Sequence, residues 1–257
     1  LPQRWDLSRQ DRWVPIQARG LLRRLGQGRK ALESAVAQHL SGYETNGWLP
    51  LEENQGATLA GNLAPGANSG IIVDLTFNDA DTVNIPGIAG YATLGATTSV
   101  IQMGFKPPVA PPAETFLCFL KIDAAPASDI LIYTIRATGT FRQYRFYIQT
   151  DGTLRIDCVD RFQVVVDSIA GLVLVGDADI PYGSWMAIAL YCFNSGGNIN
   201  WVMNWHKPGS TTFFTTTTQV FAGSVGSFQD ALFRSSTAHV NAGVSVAHLF
   251  SHPGDLP

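Results

Sequence analysis

The chain is predicted to be mainly β, a two-sheet antiparallel sandwich, and three observations predict it. The composition is turn-rich: of 257 residues, 25 are Gly and 14 are Pro, while only 14% are charged. About twelve apolar segments of strand length, rich in aromatic and β-branched residues, follow one another from Ile71 onward with Gly, Pro, Asn or Asp between them. Gly196-Gly197 and Asp151-Gly152 join alternating segments at places where a tight hairpin needs positive φ.

Residues 1–50 differ in kind. Trp13-Val14-Pro15-Ile16 suits a short edge strand, where proline is tolerated. Ala18, Leu21, Leu22 and Leu25 recur at helical spacing, and so do Ala31, Leu32, Ala35, Val36 and Leu40 up to Ser41-Gly42. Two short helices and a strand cannot bury a core of their own. This segment is therefore predicted to dock on the sandwich or to finish a domain whose other part lies elsewhere. Residues 51–70, polar and rich in Gly, Ala and Asn, read as a linker holding the domain boundary. The sandwich then occupies 71–257, with strands expected at 71–77, 97–105, 115–122, 130–135, 144–150, 153–159, 162–166, 171–175, 185–193, 199–205, 211–221 and 243–250. No internal repeat suggests a propeller or solenoid. A first residue of leucine leads us to expect a cut-out or processed piece of something longer.

The net charge of −3 is unevenly spread. Residues 1–50 hold eight basic side chains against four acidic ones, which leaves nine basic and 16 acidic in the rest. Interleaved acids and apolar spacing make the basic segment a solvated or docking face, so nucleic acid is rejected as a partner. No apolar run reaches the ~18 residues that span a bilayer, so membrane insertion is not expected.

Catalytic chemistry finds little material. Cys118, Cys158 and Cys192 sit singly in apolar runs without any C-x-x-C and read as buried thiols. Glycosidases need two carboxyl groups, and sandwich glycanases carry a Glu-x-Asp-x-x-Glu strand; after Glu53 this chain has a single glutamate, Glu114. Asp157 and Asp160, three apart, fall on opposite faces of a strand. His39, His206, His239, His248 and His252 lack ligand spacing, and Gly-x-Ser-x-Gly is missing. The chain is thus predicted to be no enzyme and to need no cofactor. Calcium stays an option for the loops Asn78-Asp79-Ala80-Asp81 and Asp177-Ala178-Asp179, whose residues are equally ordinary turn formers.

Aromatic residues are the better site material. Along 199–205, Trp201 and Trp205 share a face with Ile199 and Met203, while Asn200, Val202 and Asn204 share the other. Trp201, Asn204, Trp205 and His206, with Arg142 and Tyr144, are the candidate ligand-binding residues for a sugar. The same tryptophans read equally as core.

Phe146-Tyr147-Ile148, Asp151-Gly152-Thr153-Leu154, Gly183-Ser184-Trp185, Val202-Met203-Asn204 and the run from Ala242 to Phe250 resemble the concanavalin A-like, laminin-G-type jelly roll. In that family the last stretch closes the sheet and the Gly-x-Trp strand packs into the core. The family's Asn-Gly is replaced by Asn204-Trp205. Trp5-Asp6-Leu7-Ser8, Val14-Pro15-Ile16, Gly20-Leu21-Leu22-Arg23-Arg24-Leu25, Ala31-Leu32-Glu33-Ser34-Ala35 and Gly47-Trp48-Leu49-Pro50-Leu51-Glu52 resemble the junction in minor tail proteins of phages that infect actinobacteria. There, a hub-like domain ends and a laminin-G-like domain follows. This resemblance implies a virion tail location, other tail proteins as partners, a homotrimer as the symmetry to expect, and non-catalytic adhesion to a host-surface glycan. A purely structural tail spacer is the alternative, and a glycan hydrolase using aspartates is the more remote one.

Overall fold

The computed structural model describes residues 35–53, 55–79, 90–95, 98–106, 113–172, 180–206, 214–234 and 243–254. The expected strand at 13–16, the helix at 17–25, and Ala80-Asp81 and Asp177-Ala178-Asp179 of the calcium loops lie outside these residues, and all the described residues belong to one unit, Ala35–Pro257.

Hairpins written in the sequence build the sheets. β12 (Trp185–Ser195) and β13 (Asn198–His206) are joined by Gly196 and Gly197 alone, at φ 59° and 79°, which a two-residue hairpin turn requires. β9 (Gln143–Ile148) and β10 (Leu154–Val159) are joined through Asp151-Gly152 as expected, but by a longer loop. Gln149 and Thr153 bond across it, Gly152 stands at φ 80°, and the Asp151 carboxylate accepts from the Thr153 N–H.

The other elements, in chain order, begin with helix α1 (Ala35–Leu40), β1 (Gly47–Leu49), β2 (Leu59–Ala60), β3 (Gly70–Val73), β4 (Leu75–Asp79), β5 (Gly90–Leu94) and β6 (Val100–Gly104). They continue with β7 (Ala113–Ile122), β8 (Ile130–Ala137), β11 (Val165–Leu172), β14 (Phe214–Thr215), β15 (Gln219–Ala222), β16 (Phe228–Arg234) and β17 (Val244–Pro253). Among the described residues one sheet has nine strands, in the order β14-β13-β12-β7-β17-β5-β4, with β1 on β17 and β15 on β13. The second has eight, in the order β11-β10-β9-β8-β16-β6-β3-β2, and their pairings are antiparallel.

The core lies between the sheets. Phe116 of β7 stands at its centre, with ring centroids 5.0 Å from Phe228, 6.2 Å from Trp201 and 6.4 Å from Tyr133. Each such pair adds about 0.5–1.5 kcal/mol beyond the area it buries. A second apolar layer covers part of the nine-stranded sheet's outer face. Ala37 and Leu40 of α1 pack with Trp48 and Phe250, and Val36 packs, as Phe119 does, against the cluster of Trp185 and Ala247. A six-residue helix is marginal alone, so this burial holds it in place.

Several expectations shift for physical reasons. The segment 71–77 is two strands in different sheets, because Asp74 turns the chain at φ 53°, a conformation Asp tolerates better than most residues. Where strands are expected at 162–166 and 171–175, the described residues form the single strand β11 over Val165–Leu172, and 173–175 lie outside them. The Asp160 carboxylate accepts from the N–H groups of Phe162 and Val164 and holds the stretch before β11 in a turn. β16 was missed: a register shift between Phe228 and Asp230 breaks its alternation. Residues 51–70, expected as a linker, lie within the sandwich, where Leu51 and Ala60 are buried in the main core and β2 edges the eight-stranded sheet.

Candidate functional site

Alternation along β9 sets the geometry. Tyr144, Phe146 and Ile148 enter the core, so Gln143, Arg145 and Tyr147 belong to the outer face of the eight-stranded sheet. Register places Thr134 of β8, Arg145, Asp157 of β10 and Ser168 of β11 in one row. The next row pairs Tyr147 with Arg155, and a third carries Asp230, Arg136 and Gln143.

These side chains hold one another in place. Arg145 donates from Nε and an Nη to the Gln143 carbonyl oxygen at 3.2 and 3.0 Å, and from the same Nη to Gln163 at 3.1 Å. Gln143 donates its amide to Gln163 at 2.9 Å, which ties the β10–β11 turn to β9. The Arg155 guanidinium lies 4.1 Å from the Tyr147 ring centroid, which explains why that outward tyrosine is buried. Arg155 also bonds Asp129 at 2.6 Å and stands 3.3 Å from Asp157, which accepts from the Ser168 hydroxyl at 2.6 Å. Arg136 is paired with Asp230, and that carboxylate also accepts from Gln102. The result is a flat, hydrogen-bonded field of guanidinium, amide and hydroxyl groups.

The six residues expected to bind a ligand are not brought together. Trp201, Trp205 and Tyr144 are 1%, 4% and 0% exposed, and all three are corrected to core. Trp201 packs against Phe146 and Tyr144 with centroids 4.9 and 5.1 Å apart, so its ring faces are occupied by protein. Trp205 lines a small apolar crevice with Ile148, Leu154, Ile180, Ile188 and Met203. Asn204 and His206 take the opposite side of β13, on the nine-stranded sheet's outer face beside Ala189 and Ala187. Arg142 is exposed in the β8–β9 turn, where it donates to the Thr138 carbonyl at 2.8 Å. Gln143, Arg145, Tyr147 and Arg155, which the structure gathers on the outer face, come together only through the register of β9 with β10.

The buried titratable groups serve the architecture. Glu114 accepts from Asn46 at 2.9 and 3.0 Å and from the Ser251 hydroxyl, tying the chain before β1 to β7 and β17. Burial pushes its carboxyl up to about 7 against those hydrogen bonds, and the charge of Glu44 adds to the rise. His248 is fully buried at φ 46°, with Trp48 Nε1 3.5 Å from its Nδ1 and Glu52 3.6 Å from its Nε2. Burial pushes its imidazole down to about 4. Cys118, Cys158 and Cys192 are free and buried, and burial raises all three thiols far above the range of a nucleophile. Asp160 is spent on its turn and Asp157 on Ser168 and Arg155. The resemblance placed Trp185 in the core; it is buried, though in the layer under Val36 rather than between the sheets.

No protein-family model and no curated protein matches the chain. Among solved structures it is similar to the Trypanosoma rangeli sialidase, with TM-score 0.50 and 10% identity over 83% of this chain. It spans 31% of that sialidase's length. The receptor binding domain of a botulinum neurotoxin mosaic of serotype C/D follows at TM-score 0.49 and 8% identity, with 83% of this chain and 48% of that one covered. The VIP36 exoplasmic/lumenal domain stands at 0.46 and 7%, with 81% and 91% covered. At such identities the likeness is one of fold. The two antiparallel sheets, with β17 set between β7 and β5, form the mainly β sandwich expected from the sequence.

Proposed function

We propose that this chain is a non-catalytic attachment module that binds a glycan through the outer face of its eight-stranded sheet. The observation that carries this reading is the prearranged polar field around Arg145 and Arg155. Gln143, Gln163, Asp129, Asp157 and Ser168 fix both guanidinium groups before any ligand arrives. Sugar hydroxyls need fixed donors and acceptors, and a surface that is already ordered loses little side-chain entropy on binding. For display on a virion tail, the support is the sequence resemblance, including Gly47 to Glu52, which leads into the sandwich through β1.

A glycan array and a pull-down on bacterial envelope polysaccharide test the reading. Binding is expected, weakened by Gln143→Ala with Arg155→Ala, and unchanged by Asn204→Ala with His206→Ala. No binding at high protein concentration would sink it. A second reading, a structural spacer, is favoured by the burial of both Trp201 and Trp205, and it predicts silence on the array.

A further inference from the structure

We infer that the ligand of this face is an acidic glycan, a uronate-type polysaccharide whose carboxylates are read by Arg145; the inference rests on the glycan reading above. The sequence after residue 50 holds nine basic and 16 acidic side chains, a balance that would repel a polyanion. Its six arginines, however, all belong to one sheet: Arg136 on β8, Arg145 on β9, Arg155 on β10, Arg234 on β16, and Arg142 and Arg161 in the two turns beside them. Those two turns lie at the same end, since the Arg142 N–H bonds the Val159 carbonyl next to Asp160 and Arg161.

The arginines differ in how their charge is met. Arg136 has Asp230, and Arg155 has Asp129 and Asp157. Arg145 is held by two glutamine side-chain oxygens, which fix its plane, while its cross-strand neighbour Asp157 is engaged with Arg155 and Ser168. Its second Nη carries two donors that none of these bonds use. With the plane fixed by those bonds, this Nη is positioned to donate to one oxygen of a carboxylate in a charge-assisted contact. Arg142, exposed one turn away, adds a second cation at the same end. Ser168 and the two glutamines offer the hydroxyl partners that a sugar ring brings with its acid.

The experiment titrates the chain with polygalacturonate and with its fully methyl-esterified form at 50 mM salt, by isothermal calorimetry. The acid form is expected to bind about tenfold or more tightly than the ester, as charged hydrogen bonds imply. Arg145→Gln should lose about that factor for the acid form and less for the ester, so that the preference for the acid narrows. Arg145→Lys, which keeps the charge without the fixed plane, should recover only part of it. Equal affinity for both polymers, or acid binding that survives Arg145→Gln, overturns the inference and leaves glycan attachment standing. Binding of neither polymer by a protein that binds neutral glycans on the array overturns it as well. Silence on the array too overturns both readings. Thermal midpoints of the variants confirm that each is folded.

Discussion

The outer faces of the two sheets are put to opposite uses. On the nine-stranded sheet, α1 lays Val36, Ala37 and Leu40 over Trp48, Trp185 and Phe250, and the face becomes a second core. Beyond the helix, that face carries mostly short or uncharged side chains, such as Ala187, Ala189, Val202 and Asn204. On the eight-stranded sheet, the corresponding positions hold arginine, glutamine and aspartate bonded to one another. One face stabilises by removing water. The other keeps water-facing groups in fixed places, at little gain in stability, and is therefore the face free to meet a partner.

Substitutions separate these uses. Trp185→Ala should show the largest effect, a loss of about 3–5 kcal/mol in chemical denaturation, because a large ring leaves a closed layer. A loss under about 1 kcal/mol would mean that α1 does not seal this face. Glu114→Gln comes next and is read as a pH dependence. The folded carboxyl titrates near 7 against 4.5 when unfolded, so its contribution is full below pH 4.5 and is lost as pH rises through 7, by on the order of 3 kcal/mol. His248 works the other way: depressed to about 4 from 6.5, it contributes stability above pH 6.5 that is lost as pH falls through 4. The two slopes offset each other between about 4.5 and 6.5, so the unaltered protein should show a nearly flat stability there. Glu114→Gln should then reveal stability that rises with pH across that window; a profile that stays flat would show that these groups do not titrate as stated. On the open face the costs are smaller. Arg155→Met strands Asp129 and Asp157 and should cost about 1–2 kcal/mol. Arg145→Gln should stay within about 0.5 kcal/mol while altering acid binding, and a larger destabilisation would show that this arginine is structural.

The sandwich was legible because its signals are local. Gly196-Gly197 announces a turn without reference to anything distant, and the alternation of 199–205 sorts its residues correctly into two faces. Which face is core was not legible, since Ile199 and Met203 beside the tryptophans bear on it only once the opposite sheet is known to supply Phe146 and Tyr144. β16 was lost to a bulge, and the break at Asp74 was hidden inside an unbroken apolar run. The Arg145 field joins residues from β8, β9, β10 and the following turn, and its members are ordinary polar residues taken singly. Their meaning depends on cross-strand register, which no short window of sequence carries.

The position of β17 has a consequence for how the chain is made. This strand pairs with β7, β5 and β1, and its Ser251 reaches Glu114 across 137 residues. The middle of the nine-stranded sheet therefore stays vacant until residues 244–253 have left the ribosome. Until then β7 and β5 present unpaired edges, and Leu117, Phe119 and Trp48 stay wet. Such long-range closure makes for slow folding, with a window in which the nascent chain is open to chaperones and to wrong pairing.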